Sequence, residues 1–273
     1  MSVQGTVWYD VDRKWKWGTT MELSMLLNEI DRKKVALDGR RPLPAATVES
    51  IRQAMRLEWT YHSNALEGNT LTLRETQVVL EGLTIGGGKT LREHLEAVNH
   101  AHAVDYLEGL VKRDEPLTQV VARQLHSLIL RGVDDEHAGE WRKVPVAISG
   151  SRHVPPSPSD VAPMMRDLFD WYDGEGARLH PVERAARFHH RFVYIHPFVD
   201  GNGRTARLLM NLILMSQGYP PAVIKADPQR RIAYLDALET ASVDGQLEPF
   251  ESVVAEAVAE SLDRYLAWTA GNM

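Results

Sequence analysis

Twelve consecutive residues hold most of the chemistry in this chain: His196-Pro197-Phe198-Val199-Asp200-Gly201-Asn202-Gly203-Arg204-Thr205-Ala206-Arg207. Pro197, Gly201 and Gly203 disfavour a helix, so the stretch before Arg204 reads as a loop. The apolar run Leu208–Met215 then reads as a buried helix, stopped by Gly218, Pro220 and Pro221. A glycine loop feeding a buried helix binds anions, because the first helical N–H groups lack intrahelical partners and the macrodipole adds positive potential there. Arg204 and Arg207 in that first turn oppose the dipole at a cost of ~0.3–1 kcal/mol each. An anion such as a phosphate chain would offset them through both guanidinium forks. Asp200 would repel that anion unless a cation lay between, and its hard oxygens suit Mg²⁺. His196, titrating near neutrality, is a candidate base for an incoming hydroxyl.

Each feature alone is commonplace: a His before Pro, a Gly-x-Gly turn or an Arg at a helix start is more often structural than functional. Their joint occurrence carries the reading. The residues match every fixed position of His-x-Phe-x-(Asp/Glu)-Gly-Asn-Gly-Arg-x-x-Arg, and by that motif the chain resembles the Fic family. The resemblance spans about residues 60 to 250 and is strongest over 181–221. It implies transfer of AMP from ATP to a hydroxyl side chain of a target protein. His196 would be the base and Asp200 would hold Mg²⁺. Gly201, Asn202 and Gly203 would cradle the inner phosphates, while Arg204 and Arg207 grip the outer ones. Tyr234 would lie against adenine, by the same analogy, with core packing as the competing role.

Two further segments gain meaning from the resemblance. Ser63-Asn64-Ala65-Leu66-Glu67-Gly68 reads on its own as a helix C-terminus capped by glycine, with a carboxylate where the dipole prefers a cation. It also resembles the inhibitory-helix motif of Fic proteins that carry their inhibitor upstream in the same chain. Glu67, with Ser63 beside it, would then pair with Arg207 and hold ATP unproductively. In some relatives the same Glu also orients a water that removes AMP. Val144, Val146 and Ile148 alternate, Ser149-Gly150 offers a turn, and Arg152 and Val154 continue, which predicts a β-hairpin over 144–154. In the family such a flap seats the target by strand addition, here through Val146, Ala147, Ile148, Ser149 and Gly150.

The remaining elements must position these groups. Helical spacing predicts helices over about 21–38, 45–66, 73–81, 91–112, 116–130, 159–172, 181–195, 227–242 and 249–268. Thr72…Glu75 and Thr90…Glu93 are capping boxes. Residues 1–20 carry Trp8, Tyr9, Trp15 and Trp17 among charges and read as short strands or a packed arm. The expectation is an all-α fold with one hairpin flap. Residues 1–40 would form an N-terminal extension and 41–273 a single helical domain, with the inhibitory helix near 50–68 and the signature loop and helix at 196–216.

Composition narrows the classes. The 273 residues are 44% hydrophobic and 25% charged, ordinary for a globular chain. A net charge of −6 argues against a nucleic-acid surface. Cysteine is absent, so disulfides and thiolate chemistry are excluded. The first 20 residues lack a signal peptide's apolar core and no run is long enough to span a bilayer, so the expected location is cytoplasmic and no membrane partner is expected. A homodimer is expected from the resemblance alone.

Four rival readings compete with this one. Gly201-x-Gly203-x-x-Ala206 fits a loose dinucleotide fingerprint of an oxidoreductase, but a doubly wound sheet needs more strands than the chain offers. A Walker A loop has Arg where Lys belongs. A metallohydrolase built on His189 or His190, His196 and Asp200 lacks zinc spacing and leaves both arginines unexplained. His94, His100 and His102 fall on different helix faces. A non-catalytic interaction module remains the last alternative.

Overall fold

The computed structural model describes residues 22–270. The expectation for residues 1–20 lies outside the described residues. Ten α-helices follow in order: α1 Leu23–Asp38, α2 Ala45–Leu66, α3 Leu73–Leu80, α4 Leu91–Lys112, α5 Gln119–Leu130, α6 Pro158–Asp173, α7 Pro181–Ile195, α8 Asn202–Ser216, α9 Pro228–Glu239 and α10 Glu248–Thr269. No strand occurs among the described residues, which removes the doubly wound sheet of the dinucleotide rival. No described helix is long and apolar enough to cross a membrane.

Local chemistry sets the helix ends. Thr72 and Thr90 accept from the N–H of Glu75 and Glu93, whose carboxylates bond back, so both capping boxes form. Asp227 caps α9 ahead of Pro228, as a cap followed by proline should. Helix α5 starts three residues later than its proline implies, because Thr118 caps it through the N–H of Val121. Helix α9 ends at Glu239 and gives way to a π-helical turn, Thr240–Asp244.

The centre of the bundle is α8, which packs along α7 and is flanked by α2, α4 and α5. Residues Arg204 to Leu214 are all buried, so this helix is enclosed on every side. Phe188, Phe192, Phe198 and Phe250 are fully buried around it; each stabilises the fold by roughly 1.5–3 kcal/mol. Asn211 accepts from Ala222 N–H at 2.7 Å and donates to Ala222 O at 2.9 Å, tying the chain after α8 back onto the helix. Within the expected N-terminal extension, α1 packs along α10 and contributes Leu26, Ile30 and Leu37 to the same core.

The β-hairpin is a correction. Residues 144–154 turn at Gly150, φ 78°, but their two arms are irregular and form no ladder. Within them one main-chain bond is made, Ser151 N–H to Ile148 O at 3.2 Å. Pro145 has no N–H to donate, Pro155 closes the second arm in the same way, and side chains take over the holding. Glu239 accepts from Ser151 Oγ, from Arg152 N–H at 2.8 Å and from Arg152 Nε at 3.0 Å. His153 Nε2 lies 2.8 Å from Tyr194 O. The alternation survives only in part: Val146 and Ile148 are half-buried and Ala147, Ser149 and Gly150 are exposed, but Val144 and Val154 are exposed as well.

Several histidines are folded into this core uncharged. Burial pushes His126 and His190 down to about 4, and holds His100 and His189 well below the ordinary imidazole range. In the unfolded chain they bind protons near pH 6.5, so below that pH the unfolded state holds more protons and folding stability falls. Each group removes about 1.4 kcal/mol per pH unit between about pH 6.5 and its folded value. Denaturant unfolding at pH 7.5, 6 and 5 should therefore show a stability that declines steeply on the acid side; a flat profile would mean that these rings are solvated.

Candidate active site

His196 ends α7 in the left-handed region, φ 51° and ψ 59°, one of two non-glycine residues with positive φ among those described. That backbone costs of order 1–3 kcal/mol and so needs enforcement. His196 N–H donates to Phe192 O at 3.0 Å. Its Nδ1 lies 3.3 Å from Val193 O, which places the neutral ring's proton on Nδ1 and leaves Nε2 as the basic nitrogen. Burial lowers its affinity for a proton; the Val193 carbonyl and Glu67 pull the other way, and Arg142 and His153 add to the lowering.

The bend that follows is closed by its own side chains. Asn202 Oδ1 accepts from Phe198 N–H and its Nδ2 donates to Phe198 O, both at 2.9 Å. Phe198 stacks on the His126 ring at 3.4 Å between centroids. His126 Nδ1 accepts from Gly139 N–H at 2.9 Å, so its Nε2–H donates to Asp200 O at 2.8 Å. Gly201 has φ 76° and sits against the His126 ring, so a side chain there would be both strained and crowded. Helix α8 begins at Asn202, two residues earlier than its glycines imply. Gly203 therefore lies inside the first turn, where a Cβ would collide with the Glu67 carboxylate.

Sequence expectation and structure meet in the buried Arg207. Its Nη2 donates to Glu67 Oε1 at 2.7 Å and to Ser63 O at 2.8 Å, its Nε to Ser63 Oγ at 3.1 Å, and its Nη1 to Tyr234 OH at 3.2 Å. Tyr234 in turn lies 3.1 Å from His189 Nε2, which is held neutral and accepts the phenol proton. Burial disfavours the Arg207 charge, but Tyr234 and Glu67 outweigh it and the guanidinium binds its proton more tightly than usual. The Tyr234 ring is buried, and its polar end points at the arginine.

Arg204 is equally buried but less well served. It ion-pairs with Glu96 and Asp200, each at 3.4 Å, and its Nε has no hydrogen-bond partner in the protein. Asp200 Oδ1 accepts from Gly201 N–H at 2.6 Å and Oδ2 from Arg92 Nη2 at 2.6 Å. Burial pushes the Asp200 carboxyl up, yet Arg204, the Gly201 N–H and Arg92 together hold it below its usual range, so it is ionised at neutral pH. No cluster of three or more His, Cys, Asp or Glu suited to a metal occurs among the described residues. One ionised, half-exposed carboxylate matches Mg²⁺, which takes one or two protein carboxylates and completes its shell with water and phosphate.

Four residues around this site carry no signal in the sequence. Arg92 and Glu96 sit beside the Thr90 capping box and read there as cap and surface chemistry. His126 lies on the apolar face of α5. Arg142 precedes the flap, and its guanidinium reaches the main chain at both flap ends and at His196.

Comparison with known proteins agrees with this geometry. A family profile described as "Fic/DOC family" matches residues 116–214. A protein adenylyltransferase Fic from Drosophila willistoni is 37% identical over 250 residues, covering 89% of this chain and 49% of its own length. The chain thus spans about half the length of the curated relatives it matches. Among solved structures, Fic-1 from C. elegans superposes with a TM-score of 0.81 at 30% identity, covering 92% of this chain and 74% of that one. A Fic domain containing signaling protein from Bacteroides thetaiotaomicron gives a TM-score of 0.80 at 30% identity, over 90% and 97% of the two chains. On the motif, the site geometry and these likenesses, the chain belongs to the Fic family.

Proposed function

We propose that this protein transfers AMP from ATP to a hydroxyl side chain of a target protein, and that Glu67 restrains the reaction. The observation that carries the reading is the junction at α8: two buried arginines, a glycine-lined helix start and a neutral imidazole, all facing one corner. A polyphosphate supplies the negative charge that Arg204 and Arg207 require there. Drosophila relatives named protein adenylyltransferase support the same reaction class.

The chemistry follows from the residues. A target hydroxyl, seated by residues 146–150 of the flap, donates its hydrogen bond to His196 Nε2. Its oxygen forms a bond to the α-phosphorus as the bond from that phosphorus to the α–β bridging oxygen breaks; the proton passes to Nε2 and pyrophosphate leaves. The N–H groups of Asn202 and Gly203 and the Arg204 guanidinium take up charge on the phosphates. Asn202 serves through its main chain, since its side chain holds Phe198. Asp200, after releasing Arg92, would hold Mg²⁺, which neutralises phosphate charge when bound. Tyr234 acts by orienting Arg207.

In the resting arrangement the Glu67 carboxylate stands where an outer phosphate would meet Arg207. The Arg207 donors are already taken up by Ser63, Tyr234 and Glu67, so an outer phosphate either displaces Glu67 or ATP binds in a pose unsuited to attack. A reverse reaction, with Glu67 orienting a water for AMP removal, and a homodimer belong to the same reading; sedimentation equilibrium checks the second.

Three outcomes test the proposal. Glu67→Gly should raise self-modification with α-labelled ATP by roughly ten- to a hundredfold, the equivalent of a charged hydrogen bond of about 1.5–3 kcal/mol; no increase removes the inhibitory role. If AMP removal occurs, the same variant should lose it. His196→Ala in that background should lower transfer by about 10²–10⁴-fold while ATP affinity, read by calorimetry, persists. Because burial lowers the His196 proton affinity, activity should stay high down to a pH below the ordinary imidazole value; an acid limb well above pH 6.5 would contradict a buried neutral base.

A further inference from the structure

Residue 142 touches both the base and the flap. Arg142 is 3% exposed, and its four side-chain acceptors are all main-chain carbonyls. Its Nε donates to His196 O at 2.7 Å. Its Nη2 donates to Pro156 O at 2.6 Å and Ile195 O at 3.4 Å, and its Nη1 to Val144 O at 3.1 Å. Its own N–H donates to Pro197 O at 2.8 Å. The carbonyls of residues 195, 196 and 197 therefore all accept from this one residue, which also holds the main chain at both flap ends. Among the described residues no carboxylate pairs with it. A buried cation without a counter-ion is an expensive way to satisfy carbonyls, and only the planar fork reaches this set at once.

We propose that Arg142 is a positioning residue that sets the His196 imidazole and the flap in one frame, so that a hydroxyl carried by the flap arrives at Nε2. The inference rests on the AMP-transfer reading. The left-handed turn at His196 orients the imidazole, and Arg142 bonds the carbonyls that define that turn. The flap has no ladder to fix its arms, so its geometry is inherited from Arg142 at the base, from His153 on the Tyr194 carbonyl, and from Glu239 near the tip. Movement of one end is thereby transmitted to the other through a single guanidinium.

Arg142→Ala leaves several carbonyls unpaired and risks unfolding, so the test uses Arg142→Lys, which keeps the charge and the stem but loses the fork. In the Glu67→Gly background, self-modification by labelled ATP should show kcat reduced about ten- to a hundredfold, the range of a ~1 Å misplacement, with the KM for ATP unchanged. Tryptic nicking after Arg152 in the flap should accelerate. Glu239→Gln, which frees the flap tip and leaves His196 alone, should accelerate nicking with a smaller loss of kcat. Wild-type kcat in Arg142→Lys, a loss confined to KM, or an equal kcat loss in Glu239→Gln would each overturn the shared frame. If Glu67→Gly transfers no AMP at all, the functional reading fails by itself; nicking in Arg142→Lys then still decides the clamp, faster for it and unchanged against it.

Discussion

A buried positive charge at the wrong end of a helix constrains the whole arrangement. Arg207 sits one turn into α8, where the macrodipole already places positive potential, and it is sealed from water. Its charge is tolerable only while oxygens surround it, since an unpaired ion in such a place costs several kcal/mol. Ser63, Glu67 and Tyr234 supply those oxygens from α2 and α9. The end of α2 and helix α9 are thus both bound to α8 through one guanidinium. Of the three contacts, two are fully buried and one, Glu67, keeps 40% of its side chain exposed. The exposed one is the partner that can leave.

What holds Glu67 in place also limits how it leaves. Helix α2 is anchored by paired Glu58–Arg264 bonds of 2.6 Å, by Ala226 N–H to His62 at 3.1 Å, and by Asn64 and Asn69 donating to the main chain of α4. Glu67 itself is the first residue beyond the helix, with φ −90° and ψ 4°. Its side chain can swing about its own torsions without moving that anchored helix. Gly203 provides the clearance in which the carboxylate sits.

How much of this was legible in the sequence depended on the range of the interaction. The helices, both capping boxes and the Asp227-Pro228 start are settled by neighbours three or four residues apart, and they stood in the sequence. The signature loop was legible because its chemistry is concentrated in one stretch, and the Glu67–Arg207 pair because two motifs named its ends. The flap was half legible: alternation marked Val146 and Ile148 as inward but failed at Val144 and Val154, and a ladder depends on donors that proline withholds. Arg92 and Arg142 were illegible for a simpler reason. Their partners lie 108 and 54 positions away, and an isolated arginine says nothing about which carbonyl or carboxylate the fold will bring to it.

The loop from His196 to Asn202 connects these observations. Asn202 closes it onto Phe198, His126 fixes the Asp200 carbonyl, and the left-handed His196 sets its entry. The His196 imidazole, the Asp200 carboxylate and the start of α8 therefore ride on one closed bend. Outside it lie the flap, whose arms have no ladder, and the end of α2, whose Glu67 carboxylate is the most exposed partner of Arg207. The closed bend thus holds its groups in one mutual arrangement, while these two neighbours are tied down by side chains alone: the flap through Arg142, His153 and Glu239, and Glu67 through Arg207.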